Sequence, residues 1–251
     1  MKSIFTIGEI VTADYRAAGV LENFGIDFCK TGNQTLNEVC EEQHLDKDLL
    51  EKSLKDLSAC PGHQDPHWNY ADWDTRFLVD FIIHAHHKYI RETLPGLIRS
   101  GEKVAKEAGL GRVQIQAIHR LSQALADEIT AHLEVEERVI FPYILGLEAA
   151  LKENVGFVAP EFGRVESPIR QIELQHNEAV AVLQQLRTLT NNYTLPENAP
   201  ANQKAWYALL KEFDADMHLH IHLEKNILFP RAIGLEAELL DRKGYTTIWF
   251  G

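Results

Sequence analysis

Apolar residues recur with a helical period along most of the chain, and no stretch alternates convincingly at period two. Near the start, Ile10, Val11, Tyr15, Ala18, Leu21 and Phe24 predict an amphipathic helix ending near Gly25. A polar break follows at Lys30–Gln34, after which Thr35 can cap a second helix. Leu45, Leu49, Leu50, Leu54 and Leu57 then form a further apolar face. Two or three short helices are therefore expected in a small N-terminal domain, residues 1–62. The turn-rich stretch Cys60–His67 is the best linker candidate. From Asp72 the helices become long. One runs over 75–99 with a distortion at Pro95, and a second over 112–147, kinked or divided by Pro142. A third spans 167–191, with Ser167 as cap and Pro168 in the first helical position, and a fourth spans 202–229. The tail from Tyr245 to Phe250 suits extended backbone, but the chain offers it no sheet. The fold class is all-α: an up-down four-helix bundle over residues 72–243 behind a small helical domain.

Two of the long helices carry the same phrase. His132-Leu-Glu-Val-Glu136 leads to Phe141-Pro142, and His220-Ile-His-Leu-Glu224 leads to Phe229-Pro230, with ten residues from His to Pro in each. A His and a Glu four apart share a helix face and make a two-point platform for a metal. One such pair is commonplace on a helix surface; two in one frame indicate an internal duplication. A duplication should also place a matching His ahead of each pair. His87 precedes His132 by 45 residues, and His176 precedes His220 by 44. That spacing favours His87 over its neighbours His84 and His86, leaving His84 as a supporting partner or a substitute ligand.

Four imidazoles (His87, His132, His176, His220) and two carboxylates (Glu136, Glu224) are too many for one tetrahedral zinc. They suit two metals, each with two imidazoles, sharing both carboxylates and keeping open positions for an oxo or hydroxo bridge or a small ligand. Nitrogen and oxygen donors without thiolate favour two non-haem iron ions, while ligand type alone also allows manganese or zinc. Leu133, Ile140, Leu223 and Ile227 would keep the cavity dry. Glu128, one turn before His132, is a candidate for a proton or ion path. Glu137 lies one residue off the ligand face and reads as a surface ion pair. His222, two residues from His220, should face away from the metals on the surface, and His119 reads as structural or exposed.

Composition narrows the classes. The 251 residues are 45% hydrophobic, enough for a sizeable core, and carry a formal charge of −12, which argues against nucleic acid. No apolar run of about eighteen residues exists to span a membrane, and the opening residues lack the apolar region of a signal peptide. Three cysteines (Cys29, Cys40, Cys60) in an odd, unpatterned set point to a reducing cytoplasm. No His-Glu-x-x-His helix supports a hydrolytic zinc enzyme.

The bundle motifs resemble the di-iron proteins for repair of iron centres, the YtfE/ScdA group, which have a hemerythrin-like bundle. The resemblance rests on His86-His-Lys-Tyr-Ile-Arg-Glu-Thr-Leu-Pro95, both His-x-x-x-Glu phrases, and Gln175-His176-Asn-Glu178. It implies a non-haem di-iron centre held by four His and two bridging Glu at the positions above. Gln175 replaces the acid usual before the third histidine, whereas Glu128 matches an acid associated with the path to the metals. Residues Gly25-Ile-Asp-Phe-Cys29-Lys30 resemble the family's N-terminal domain, which commonly has two adjacent cysteines there. Lys30 stands in place of the second, so Cys29 is left as a candidate redox thiol acting singly or with a distant thiol such as Cys40. The resemblance implies a cytoplasmic stress-response protein, a monomer or homodimer, that restores damaged iron–sulfur clusters. It would do so by reducing nitric oxide, by donating iron to an iron–sulfur client, or by both. The alternative is a non-catalytic protein that binds or senses oxygen, nitric oxide or iron.

Overall fold

The computed structural model describes residues 5–59, 70–108, 112–153 and 162–243. These are almost entirely helical; the pairing of Thr6 with Thr35 is an isolated bridge. The linker candidate Cys60–His67 and the tail Tyr245–Phe250 lie outside the described residues. Among those described, no helix is long and apolar enough to cross a membrane. The chain groups into two compact units. One runs through Asp74 and takes in His222–Pro230; the other comprises Thr75–Ile221 and the residues from Arg231 onward.

Among the described residues the N-terminal part of the first unit has four short α-helices, one or two more than the apolar spacing suggests: α1 Ile7–Ala13, α2 Arg16–Asn23, α3 Leu36–Glu42 and α4 Lys47–Ala59, with a 3-10 turn at Tyr70–Asp72. The expected single helix up to Gly25 is broken at Asp14, whose extended backbone ends α1. Its carboxylate accepts from the Arg16 backbone N–H and is paired with the Arg16 guanidinium at 2.6 Å. Gly25 does end α2, with φ of 78°, a left-handed conformation that costs glycine little. Thr35 caps α3 as its spacing implies, in a capping box with Glu38, and Thr6 does the same for α1 with Glu9.

The second unit is the expected four-helix bundle, and three of its four rods contain a wide turn that the periodicity does not reveal. The first rod is α5 Thr75–Phe81, a π turn π1 Ile82–His87, and α6 Lys88–Glu107. The second is α7 Arg112–Val135, π2 Glu136–Ile140 and α8 Phe141–Glu153. The third is α9 Glu166–Leu189. The fourth is α10 Ala201–Leu223, π3 Glu224–Leu228 and α11 Phe229–Lys243, so it continues well past Phe229. Its segment His222–Pro230 is part of that continuous rod.

Pro142 and Pro230 do not divide their helices. A proline lacks the N–H that bonds four residues back, and its ring crowds that carbonyl. In both rods a π turn ends two residues before the proline, with Phe141 N–H bonding to Glu136 O and Phe229 N–H to Glu224 O, five residues back. The widened turn relieves the crowding and lets the rod run on. In the first rod the distortion is π1, while Pro95 sits inside α6.

The third helix begins two residues earlier than its serine signal implies. Val165 occupies the cap position with no side-chain cap bond, and its buried N–H donates to Glu236 Oε1 at 3.0 Å. The Tyr143 hydroxyl donates to the same oxygen at 2.6 Å, so one carboxylate holds α8, the start of α9 and α11 together. With Val165 held this way, Ser167 and Pro168 fall inside the first turn.

Two features fix the end of the bundle remote from the π turns. Asn191, Asn192 and Tyr193 have φ of 48°, 53° and 59°, a left-handed run that is strained for a bulky residue. The Tyr193 hydroxyl donates to buried Asp214 at 2.8 Å, and Asp214 also receives Arg187 Nε at 2.5 Å and lies 3.0 Å from His218 Nδ1. Nearby, Gly101 lets α6 approach Trp206 and His119 closely; a Cβ there would stand 2.7 Å from Trp206 Cζ2 and 2.9 Å from His119 Nδ1. Gly101→Ala is expected to cost about 1–3 kcal/mol through overpacking, read as a lowered midpoint in chemical denaturation.

Candidate metal centre

The helical frame turns the six expected side chains inward, and all six are buried: His87, Glu136, His220 and Glu224 completely, His132 and His176 nearly so. Their ligand atoms form two groups, His87–Glu136–His220–Glu224 and His132–Glu136–His176–Glu224, with the atoms of each within 4.8 Å of one another. Both carboxylates belong to both groups. Within the first, His87 Nε2 lies 3.1 Å from His220 Nε2 and 3.5 Å from Glu136 Oε2. Within the second, His132 Nε2 lies 3.1 Å from His176 Nε2, and the two are 2.9 and 3.7 Å from Glu136 Oε1. Glu136 thus turns one oxygen to each histidine pair.

The protonation pattern follows from the outer partners. His87 Nδ1 is 2.8 Å from Glu137 Oε1, and His132 Nδ1 is 2.8 Å from Gln175 Oε1. A carboxylate and a carboxamide oxygen only accept, so each Nδ1 must carry the hydrogen. The Nε2 lone pairs of His87 and His132 are therefore left pointing at another imidazole nitrogen and at a carboxylate. Such an arrangement needs a proton or a cation to close it. Two nitrogens each about 2.1 Å from one metal lie about 3.0–3.4 Å apart, and both imidazole pairs match that spacing. Neither oxygen of fully buried Glu136 has a hydrogen-bond partner. Buried carboxylate oxygens normally have one, and metal coordination would supply the compensation. The donor set and this carboxylate together fit a pair of iron ions.

Comparison with known proteins agrees with the geometry. The hemerythrin HHE cation binding domain matches residues 79–232, and ScdA_N, a domain of unknown function, matches residues 5–58. The chain belongs to the hemerythrin HHE family. Full-length relatives include the iron–sulfur cluster repair protein YtfE of Dickeya chrysanthemi, 34% identical over 91% of this chain and 96% of its own length. The YtfE of Musicola paradisiaca is 34% identical over 92% and 97%, and that of Yersinia pestis 32% over 91% and 96%. The buried His/Glu cluster of this hemerythrin-family chain is of the di-iron type.

Several neighbours of the cluster differ from their sequence reading. Glu137 is more than a surface ion pair. It accepts from Arg91 Nη1 at 2.7 Å as well as from His87. Partial burial would raise its pKa, but these two hydrogen bonds and charges outweigh that and hold it below the usual carboxylate value. His84 is exposed and bonds to Asp80 O at 2.8 Å, so it is no substitute ligand. His86 is buried, with Nδ1 2.8 Å from Asp216 Oδ1 and its ring stacked on His220. His222 is fully buried rather than on the surface, receives Asn226 Nδ2 at 2.8 Å, and packs on Tyr15 and Phe28. Burial pushes its pKa down to about 4, so it is neutral at pH 7. His119 is half-buried, against Gly101.

Leu133, Ile140 and Leu223 are fully buried and Ile227 nearly so. Glu128 is exposed on α7. Cys29 and Cys40 are buried and not joined in a disulfide, and burial raises the pKa of Cys40. The backbone N–H of Cys29 donates to Asp27 Oδ1 at 3.1 Å.

Because Glu137 orients a ligand-type imidazole, Glu137→Ala is expected to weaken iron binding roughly 10–100-fold. Exposed His84→Ala should leave it unchanged. Competition with a ferrous chelator measures both.

Proposed function

We propose that the chain is a di-iron stress-response protein that repairs iron–sulfur clusters damaged by nitric oxide or oxidants. The observation that carries this reading is the sharing of Glu136 between two imidazole pairs, with both its buried oxygens lacking hydrogen-bond partners. Residues 72–243 would form the metal-carrying bundle and residues 1–62 its N-terminal domain. One iron would be held by His87 and His220, the other by His132 and His176, with Glu136 and Glu224 across both. The relatives' name, iron–sulfur cluster repair protein, supports the same activity here.

Two ferrous ions would supply one electron each, converting two nitric oxide molecules and two protons to nitrous oxide and water; iron delivered to a damaged cluster is the second use. The protein's own part is to aim and shield. Glu137 and Gln175 hold the Nδ1 hydrogens of His87 and His132, keeping Nε2 available for metal. Leu133, Ile140, Leu223 and Ile227 exclude water and restrict entry to small molecules such as nitric oxide or oxygen. Carboxylates change coordination mode more readily than imidazoles, which makes Glu136 and Glu224 the groups that move. Glu128 on the solvent side of α7 is assigned the outer end of a proton or ion path, and Cys29 the role of a single redox thiol. An iron–sulfur protein in the cytoplasm is the proposed client.

The test is anaerobic loading with ferrous iron, addition of nitric oxide and analysis of the headspace gas. The reductase reading expects about one nitrous oxide per loaded pair. A loaded protein that forms none, yet restores a damaged cluster, leaves iron donation. One that does neither but binds oxygen or nitric oxide reversibly is a carrier or sensor.

A further inference from the structure

The turns carrying Glu136 and Glu224 match position for position in sequence, yet different parts of the chain support them. After Glu136, Glu137 is pinned by Arg91 and His87. The next residue, Arg138, is exposed and makes a loose 3.8 Å pair with Glu134. After Glu224 the matching residues are Lys225 and Asn226, and both engage N-terminal residues of the same unit. Lys225 Nζ donates to the Cys29 carbonyl at 2.8 Å.

Asn226 fills a slot that exists because two facing residues have no side chains. The Gly8 N–H donates to Gly32 O at 2.8 Å, bringing the two backbones together. A Cβ on Gly8 would stand 3.0 Å from Asn226 Oδ1, and one on Gly32 would stand 3.2 Å from it. From that slot Asn226 Nδ2 donates to His222 Nδ1, whose ring packs against Tyr15 and Phe28. Three side chains around Glu224 are therefore fixed by residues between Gly8 and Gly32. A π turn is an irregular, rarely adopted element, and its register depends on such anchors.

We propose that Gly8, Gly32 and the Cys29 carbonyl, acting through Asn226 and Lys225, position the Glu224 carboxylate, so that these N-terminal residues support one of the two shared carboxylates and not the other. This rests on the di-iron reading and adds to it a division of labour. Glu136 is held from within the bundle, whereas Glu224 is held by residues between Gly8 and Gly32 and is the carboxylate released when that support loosens. Asn226 and Lys225 are positioning residues here.

The test uses the full chain as Asn226→Ala, Lys225→Met and Gly32→Ala, with Arg138→Ala as the control at the position matching Asn226. Each is loaded anaerobically with ferrous iron, titrated with a competing chelator, and examined by Mössbauer spectroscopy after oxidation. Wild type and Arg138→Ala are expected to hold two irons with one shared signature. Asn226→Ala and Gly32→Ala are expected to bind the second iron roughly 10–100-fold more weakly and to show altered quadrupole splitting at unchanged helix content. Should Gly32→Ala fail to fold, the two side-chain truncations carry the test, since they remove contacts without crowding. Truncations that keep wild-type iron affinities and spectra overturn this inference alone. A wild type that holds no iron pair overturns the parent reading with it.

Discussion

Glu136→Gln is expected to abolish binding of the iron pair while raising the stability of the metal-free protein. The opposite signs share one cause. Without metal, a fully buried carboxylate with no hydrogen-bond partner on either oxygen lies between two imidazole pairs and is poorly compensated. Gln has nearly the same shape and no charge, and relieving an unsatisfied buried polar group is worth about 1–3 kcal/mol. With metal the balance reverses. Losing a hydrogen-bond partner of a ligand already weakens metal binding roughly 10–100-fold, so removing a charged ligand shared by two ions should exceed the upper end of that range. Denaturant unfolding of the metal-free variant and chelator competition of the loaded one give the two numbers. A fall in both would mean that Glu136 is a structural residue.

Asp214→Ala is expected to be the most destabilising of the substitutions considered, costing about 3–5 kcal/mol. It would leave Arg187 and His218 without a buried carboxylate and free the Tyr193 hydroxyl, which helps hold a left-handed turn. Burial alone would raise the Asp214 pKa, but the hydrogen bonds and charges of His218 and Arg187 outweigh it, and the net shift is downward. A depressed carboxylate pKa contributes stability that is present above its unfolded value, near 4, and lost as pH falls through the folded value. The gap between wild type and Asp214→Ala should therefore be widest near neutrality and shrink on acidification below pH 4. Denaturation curves at pH 7 and at pH 3 check both magnitude and sign. A gap that is constant or grows in acid would contradict this role.

The duplicated His-x-x-x-Glu phrases were legible because each pair lies on one face of one helix, where residue spacing alone fixes direction. The matched histidines at His87 and His176 followed from the same period. What spacing could not reveal was the extra residue that a π turn adds. It changes the helical phase locally, so Glu137, one residue off the expected face, reaches His87. The Phe-Pro pairs are the sequence trace of those turns, visible as helix disruptors but not as the reason the rods continue.

His222 departs from its spacing for a different reason. It does turn away from its neighbour His220, yet that side of the helix meets Tyr15 and Phe28 rather than water. A face covered by a remote part of the chain carries no local signature. The same holds for the Asp214 network, whose partners Arg187 and Tyr193 come from the preceding helix and loop.

The central claim is that one chain holds two irons that share carboxylates. Anaerobic purification and ferrous loading, followed by an iron count and low-temperature Mössbauer spectroscopy of the oxidised full chain, tests it most directly. Two irons per chain in a coupled, diamagnetic pair, lost in Glu136→Gln, is the predicted result; a single mononuclear iron, or iron content indifferent to Glu136, would contradict it.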